Sequence, residues 1–377
     1  MSKSDILIFG DICPDNDYKR LYGYNGNSVF DEKIKSLVKK SGLVVGNLEC
    51  PSTKSNSPIT KCGPVLKAEP EDIVYLKEFG FDVLSLANNH ILDYGEDAVK
   101  ETINCLKNIG IECFGAAENE AESKRAYVTE VNGKEVGILS FAEAEFNLAR
   151  GDNPGANHFD PYTSFDDIST LKKQCDYVIV LYHGGIEHYI NPSPLLQKKC
   201  RKMAESGADL VLCQHSHCIG TCEMIDGATI IYGQGNAAFG YRDGNIAWNE
   251  GFIVCVSLDD NSVSLKLMNA VEDGIVLASD TDSQKRIEQM KKDSEKVNDP
   301  VFIKEEWNMF CTQLEALDLA LLFGKNRVFN KINRILNNKL IKLLYNSRKQ
   351  MITMNMIRCE SHHEVVQTIL EKNFFEN

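Results

Sequence analysis

The chain has 377 residues, of which 43% are apolar and 25% charged, so it is not a largely disordered polypeptide and exceeds the size at which a single core usually stops growing. Its 41 Lys+Arg against 54 Asp+Glu leave a net charge of −13, which repels a polyanion and argues against nucleic acid as a partner. Thirteen scattered cysteines, an odd number, read as reduced, mostly buried thiols rather than a disulfide framework.

The first apolar run, Ile6–Phe9, ends at once in Gly10-Asp11 and is too short for a signal-peptide core. Nowhere do about 18 apolar residues run together, so no spanning helix is expected, and the chain reads as cytoplasmic. Strands are expected at Ile6–Gly10, Leu43–Leu48, Val83–Ala87, Ile111–Phe114, Glu135–Phe141, Tyr177–Tyr182, Leu210–Cys213, Thr229–Tyr232, Gly251–Leu258 and Val263–Met268. Several are continuous apolar runs, as strands covered on both faces require. Between them lie helical patterns at Val29–Ser41, Pro70–Phe79, Gly95–Ile109, Ile168–Gln174 and Pro194–Ser206. Four of these five are followed by a glycine (Gly42, Gly80, Gly110, Gly207) suited to a left-handed helix C-cap. This is an α/β pattern. Hairpin spacing at Val131-Asn132-Gly133-Lys134 and among the later strands makes the sheets mixed.

Beyond about Asp280 strand signals vanish and helix formers dominate. Residues 281–377 hold 16 basic and 13 acidic residues, a net of +3, against 25 and 41, a net of −16, for residues 1–280. The expected division is therefore a body over 1–275 and a helical, locally basic extension over 281–377. Between Asp318 and Glu360 there are nine bases and no acid. Arg327, Lys331, Arg334, Asn338 and Lys342 fall at helical spacing on one face, with Val328, Ile332, Ile335, Leu336, Leu340 and Leu343 on the other. The stretch 325–349 has three readings: docking on the acidic body, peripheral contact with an anionic membrane or a capsule-synthesis machine, or grip on a polyanionic product.

Polar, metal-competent residues follow five separate strand runs. They are Asp11, Glu49, the triplet Asn88-Asn89-His90, His183, and the His215-Ser216-His217 pair. Ligands bind at the carboxyl ends of strands in open α/β sheets. Three imidazoles, two carboxylates and an Asn amide make a mixed N/O set for two divalent ions, with a carboxylate able to bridge them. Neutral imidazoles favour Mn, Fe or Zn over Mg or Ca. Two such ions would hold an oxyanion and acidify a water.

The same residues carry a family resemblance. Gly10-Asp11, Gly46-Asn47-Leu48-Glu49, Asn88-Asn89-His90 with Asp93 and Gly95, His183-x-Gly-x-Glu187, Gln214-His215-Ser216-His217 and Tyr232-Gly233-Gln234-Gly235-Asn236 follow one another as in bacterial capsule-synthesis CapA/PgsA proteins. The resemblance covers roughly residues 5–258. That family is similar to the calcineurin-like metallophosphoesterases, which implies a four-layer α/β/β/α sandwich. It further implies that Asp11 resembles a ligand of a first ion, Glu49 a bridging carboxylate, and Asn89 and His183 ligands of a second ion, with His215 and His217 divided between the two. His90 resembles the residue that protonates a leaving group, and Asp93 would fix its tautomer. Typical phosphoesterases have Asp-x-His in the first motif, where this chain has Asp11-Ile12-Cys13, so the Cys13 thiolate is a candidate replacement for the missing histidine. Glu187 and Asn236 are further candidates near the site. Tyr232 is a pocket-lining candidate, whereas Lys61 and Lys67 read more simply as solvated lysines. The implied activity is hydrolysis of a phosphoester in an anionic small molecule or polymer. The competing implication is a non-catalytic accessory role in making a capsule polymer such as poly-γ-glutamate, and a third is cleavage of an amide bond in such a polymer.

Overall fold

The opening apolar run forms a strand buried at all seven positions, Ile6–Ile12, and the next, Leu43–Leu48, is buried at all six. Burial on both faces places them inside a layered structure. The computed structural model describes residues 5–14, 29–61, 63–322 and 327–358; His362 and His363, which the sequence suggests are surface residues, lie outside the described residues. In chain order the strands are β1 (Ile6–Ile12), β2 (Leu43–Leu48), β3 (Val83–Ser85), β4 (Glu112–Phe114), β5 (Ala116–Ala117), β6 (Tyr127–Val131), β7 (Lys134–Ala142), β8 (Gly155–Ala156), β9 (Tyr177–His183), β10 (Leu210–Gln214), β11 (Cys222–Ile225), β12 (Ala228–Ile231), β13 (Asn236–Ala238), β14 (Glu250–Ser257), β15 (Ser262–Val271) and β16 (Gly274–Leu277).

One sheet runs β16-β15-β14-β1-β2-β3-β4, with β13 also paired to β1; the other runs β11-β12-β10-β9-β7-β6. The centre of each is parallel, and antiparallel strands close the margins, at β14 to β16 in the first sheet and at β11 and β6 in the second. Both sheets are mixed, as the hairpin spacing anticipates.

Side-chain alternation along β1 sorts the layers. Ile6 and Ile8, with Val45 and Val83, pack against Ile138, Ile179, Leu181 and Leu212 of the second sheet. Leu7 and Phe9 face the other way, into a cluster with Ile34, Leu76, Phe79, Val99 and Leu106 from the helices Glu32–Val38, Val74–Phe79 and Glu96–Ile109. On the far side, Phe141, Val180 and Val211 meet Ile168 and Leu171 of Ser164–Lys172 and Cys200 and Met203 of Pro194–Glu205. The order of layers is therefore helix, sheet, sheet, helix: the four-layer α/β/β/α sandwich.

Local chemistry sets the helix ends. Asp31 Oδ1 accepts from the Ile34 N–H at 2.8 Å, so that helix starts at Glu32 rather than at Val29. Ser193 caps Pro194–Glu205, with Pro194 in the first turn where its missing N–H is no loss. Gly110, at φ 76°, ends Glu96–Ile109 in the left-handed conformation.

The chain divides into two compact units, Met1–Lys304 and Glu305–Asn377. The composition shift lies some 25 residues earlier. The helix Asp280–Asp293 carries Ile287 and Met290, which pack on Phe252 and Leu267, and its Arg286 Nε donates to Glu250 Oε2 at 2.9 Å. This first helix of the basic extension is thus part of the sandwich unit. In the second unit the expected continuous amphipathic face is interrupted. Asn337 and Asn338 both have positive φ, so the stretch splits into Arg327–Ile335 and Lys339–Leu344, with Asn333 Oδ1 accepting from the Ile341 N–H at 3.0 Å across the break. Val328, Ile335 and Leu343 are exposed within this stretch. No helix among the described residues is long and apolar enough to cross a membrane.

Candidate metal centre

The two sheets deliver their polar strand ends to one place. Asp11 closes β1, Glu49 follows β2, Asn89 and His90 follow β3, His183 ends β9, and His215 and His217 follow β10. All seven are buried. Two sets of lone-pair atoms converge, each within 4.8 Å: Glu49 with His183 and His215, and Asp11 with Glu49 and His217. Glu49 belongs to both.

Backbone strain helps to aim the imidazoles. His215 and His217 have φ of 88° and 52°, a left-handed conformation uncommon for side chains of this size and concentrated at functional sites. The His215 N–H donates to Asp11 Oδ2 at 2.9 Å, tying the β10 end to β1 across the sheets. Asn236 Oδ1 accepts from His217 Nδ1 at 2.8 Å, while Asn236 Nδ2 donates to the Trp248 carbonyl at 2.9 Å, which fixes the orientation of the amide. His217 Nδ1 thus carries a proton, and Nε2 lies 4.0 Å from Glu49 Oε1. His183 Nε2 lies 2.9 Å from Asn89 Oδ1 and 3.3 Å from Glu49 Oε1.

The fit to cations rests on unsatisfied atoms. Glu49 is 0% exposed, yet neither carboxylate oxygen has a hydrogen-bond partner, and buried His215 Nδ1 also has none. Buried polar atoms are almost always paired. Burial, and then the charge of Asp11, push Glu49 well above the usual carboxylate range. Burial, and then His183 and His217, hold His215 well below the usual imidazole value, and burial also lowers His183. Burial opposes the charged forms of Glu49, His183 and His215, and a divalent cation favours the ionised carboxylate and the neutral rings that could bind it. The two donor sets, which share Glu49, are compatible with divalent cations.

Beside it His90 and Asp93 form a second array. Asp93 Oδ2 accepts from His90 Nδ1 at 2.6 Å and from the Leu66 N–H at 2.7 Å, and Asp93 Oδ1 accepts from Lys61 Nζ at 2.6 Å. His90 Nε2 is 4.0 Å from Glu49 Oε1. The expectation of a solvated Lys61 is overturned: its side chain is 2% exposed and sealed against Asp93. Lys67 does stay near the surface, with Nζ 3.0 Å from Glu69 Oε1.

Several candidates lie elsewhere. Cys13 sits in the apolar cluster beneath the helices, its N–H bound to the Ala238 carbonyl at 2.8 Å, and joins neither donor set. Glu187 is exposed at the rim, 3.9 Å from His188 Nε2. Tyr232 does not line the site; its hydroxyl donates to Glu223 in the cluster under Pro194–Glu205, and burial pushes its phenol up. Gly235, at φ 76°, belongs to a close backbone approach: a Cβ on Gly10 would meet the Gly235 carbonyl oxygen at 2.2 Å. Two asparagines were missed as functional positions. Asn47 Nδ2 bridges Asp11 Oδ1 at 2.7 Å and His183 Nδ1 at 3.2 Å, and Asn147 Nδ2 holds the Asn88 carbonyl at 3.0 Å. Asn47 stood inside a quoted motif, but nothing in sequence distinguishes a ligand from the amide that steadies it.

Residues 5–241 match the model of the family described as "Bacterial capsule synthesis protein PGA_cap". The capsule biosynthesis protein CapA of Bacillus anthracis is 29% identical over 272 residues, 70% of this chain and 66% of that protein. The PGA biosynthesis protein CapA of Bacillus subtilis (strain 168) is 29% identical over 235 residues, 61% and 62% of the two chains. The chain thus spans about two thirds or less of these relatives' lengths. A solved structure of a hypothetical protein from Thermus thermophilus aligns with 71% of this chain and 99% of its own, at 14% identity and a TM-score of 0.45. With the family match extending over well over half of its length, the chain belongs to the bacterial capsule synthesis protein PGA_cap family.

Proposed function

We propose that the chain is a metal-dependent hydrolase, a phosphoesterase with a dinuclear site, acting on an anionic substrate of capsule or polyanionic polymer metabolism. The observation that carries this reading is Glu49: wholly buried, shared by both donor sets, and without a hydrogen-bond partner on either oxygen. Mn, Fe or Zn bound there would acidify a water and neutralise charge on the reacting group. Asp11, Glu49 and His217 would hold one ion, and Glu49, Asn89, His183 and His215 the other. Asn47 and Asn236 keep Asp11, His183 and His217 oriented. Asp93 holds His90 by Nδ1, so the leaving oxygen receives its proton from His90 Nε2.

The test is elemental analysis of the purified full chain, followed by hydrolysis assays on aryl phosphates, phosphodiesters and γ-glutamyl peptides. About two equivalents of metal and metal-dependent phosphoester cleavage are expected. Activity should fall by ~100-fold in His90→Ala with metal content retained, the usual scale of a general-acid contribution. Metal-replete protein inert toward the whole panel would transfer the assignment to an accessory role, the reading favoured by relatives named for biosynthesis rather than for a reaction.

A further inference from the structure

Strand β7 ends at Ala142, and the next residue, Glu143, ties down the segment that carries His183 at three points. Its N–H donates to the His183 carbonyl at 3.0 Å. Its Oε1 accepts from the Tyr182 hydroxyl at 2.7 Å, one residue before the imidazole, and its Oε2 accepts from the Gly185 N–H at 3.1 Å, two residues after it. One carboxylate and its own backbone amide thus bracket a donor residue at the last position of β9. The parallel register of β7 and β9 brings this about, since Ala142 is paired with His183.

The carboxylate is itself anchored. Lys199, on the helix Pro194–Glu205, donates from Nζ to Glu143 Oε1 at 3.1 Å and to the Tyr182 hydroxyl at 2.8 Å. The two glycines after His183 make room for this arrangement. A Cβ on Gly184 would meet Glu143 Cγ at 2.5 Å and Cδ at 2.6 Å, and Gly185 holds φ at 104°, which a side chain would strain. Glu143 also reaches the segment that carries Asn89. Its carbonyl accepts from Asn147 Nδ2 at 3.2 Å, and the same amide donates to the Asn88 carbonyl at 3.0 Å.

A donor must hold its place to within about 0.5 Å, and a pair of glycines is a poor mount for one. The sheet gives little help there, because the Gly184 N–H reaches the Gln214 carbonyl only at 3.3 Å. Asn47 steadies the His183 ring from inside the cluster, and Glu143 holds its backbone from outside. The ties of Glu143 end on the segments of His183 and Asn89, whereas Asp11 and His217 are oriented by Asn47 and Asn236. We infer that Glu143 is a positioning residue for the set Glu49, Asn89, His183 and His215, and that its loss weakens the ion held there while the ion of Asp11, Glu49 and His217 stays. This deepens the hydrolase reading and rests on its division of the donors between two ions.

The test is calorimetric titration of the full chain with Mn, comparing the unaltered protein with Glu143→Ala, His183→Ala and the double variant. The unaltered protein should bind two equivalents. Glu143→Ala should weaken one of them ~10–100-fold, the usual effect of removing a partner behind a ligand, and leave the other within ~2-fold. His183→Ala should weaken the same equivalent, and the double variant should lose less than the product of the two single losses, because both act on one donor. Glu143→Gln, which keeps an acceptor for the Gly185 N–H, should bind that equivalent more tightly than Glu143→Ala. Should Glu143→Ala not fold, Gly184→Ala, whose Cβ displaces the carboxylate, and Glu143→Gln, which fills the same space, must each weaken the one equivalent. Two equivalents weakened alike, neither weakened, or independent losses in the double variant overturn the assignment. If the unaltered protein binds a single ion, the dinuclear reading fails, and the assignment stands only where Glu143→Ala and His183→Ala both weaken that ion. Protein that binds no metal overturns both. Aryl phosphate hydrolysis is scored separately, so inactivity alongside the selective loss sinks the phosphoesterase reading alone.

Discussion

Asn236 Oδ1 accepts a hydrogen bond from His217 Nδ1 at 2.8 Å from a strand position paired directly with Asp11. A short parallel contact between β13 and β1 thereby fixes both the carboxylate and the tautomer of the imidazole that meets it. Asn236→Ala should leave the fold intact and weaken metal binding by ~10–100-fold, the usual effect of removing a partner behind a ligand. Calorimetric titration with Zn or Mn checks this. An unchanged affinity would mean that His217 does not bind through Nε2.

Glu49→Gln should change stability in opposite directions with and without metal. In a chelator the substitution removes a carboxyl whose ionisation is opposed by burial and by Asp11, so the thermal midpoint should rise by about 2 °C or more, the shift that ~1 kcal/mol gives in a domain of this size. With Mn or Zn added, the unaltered protein should gain stability and the variant should not. Differential scanning calorimetry on both proteins, with and without metal, reads all four states. A variant that is less stable in chelator would show that Glu49 is already compensated.

The pH dependence follows from the same groups. His215 binds its proton more weakly folded than unfolded, so metal-free stability declines as pH falls through about 6.5, the unfolded imidazole value. Glu49 binds its proton more tightly folded, so its ionisation lowers stability as pH rises above the unfolded value of 4.5 toward its raised folded one. A cation favours the carboxylate and the neutral imidazole alike. The metal-induced rise in thermal midpoint should therefore be largest near pH 8 and shrink toward zero by pH 5.5, as a fluorescence melt across that range would record. A shift independent of pH would show that neither Glu49 nor His215 exchanges a proton for the ion.

Lys61 and Asp93 form a buried pair, their side chains 2% and 1% exposed. Lys61→Met leaves Asp93 uncompensated and should cost ~3–5 kcal/mol, whereas an exposed pair would cost at most ~1 kcal/mol. The double variant Lys61→Met/Asp93→Asn should recover most of the loss. Urea unfolding of the single and double variants measures the coupling.

Much of the architecture could be read from local pattern. Runs such as Ile6–Phe9 and Val178–Leu181 are apolar throughout because both faces of each strand are covered. Glycines 80 and 110 mark helix ends because few other residues adopt their positive φ. The donor residues were legible because they interrupt those runs at one end, where packing alone gives polar side chains no reason to be. What escaped is long-range. Lys61 lies on an irregular segment between β2 and the helix Val74–Phe79, and only its meeting with Asp93, 32 positions on, removes it from water. The two-residue strands β5 and β8 carry too little periodicity to register. The helix Asp280–Asp293 looked like the start of the tail because one buried and one half-buried apolar residue, Met290 and Ile287, are few among charges, yet they suffice to bind it to β15.

The inner faces of the sandwich meet mainly through apolar contacts, with few directional hydrogen bonds between the sheets. Asp11, Glu49 and Asn89 come from one sheet; His183, His215 and His217 come from the other. Ions seated between them would rivet the halves in register. Shear between the sheets and loss of metal then become one event, and chelation should loosen amide protection in both halves together, far from any donor atom.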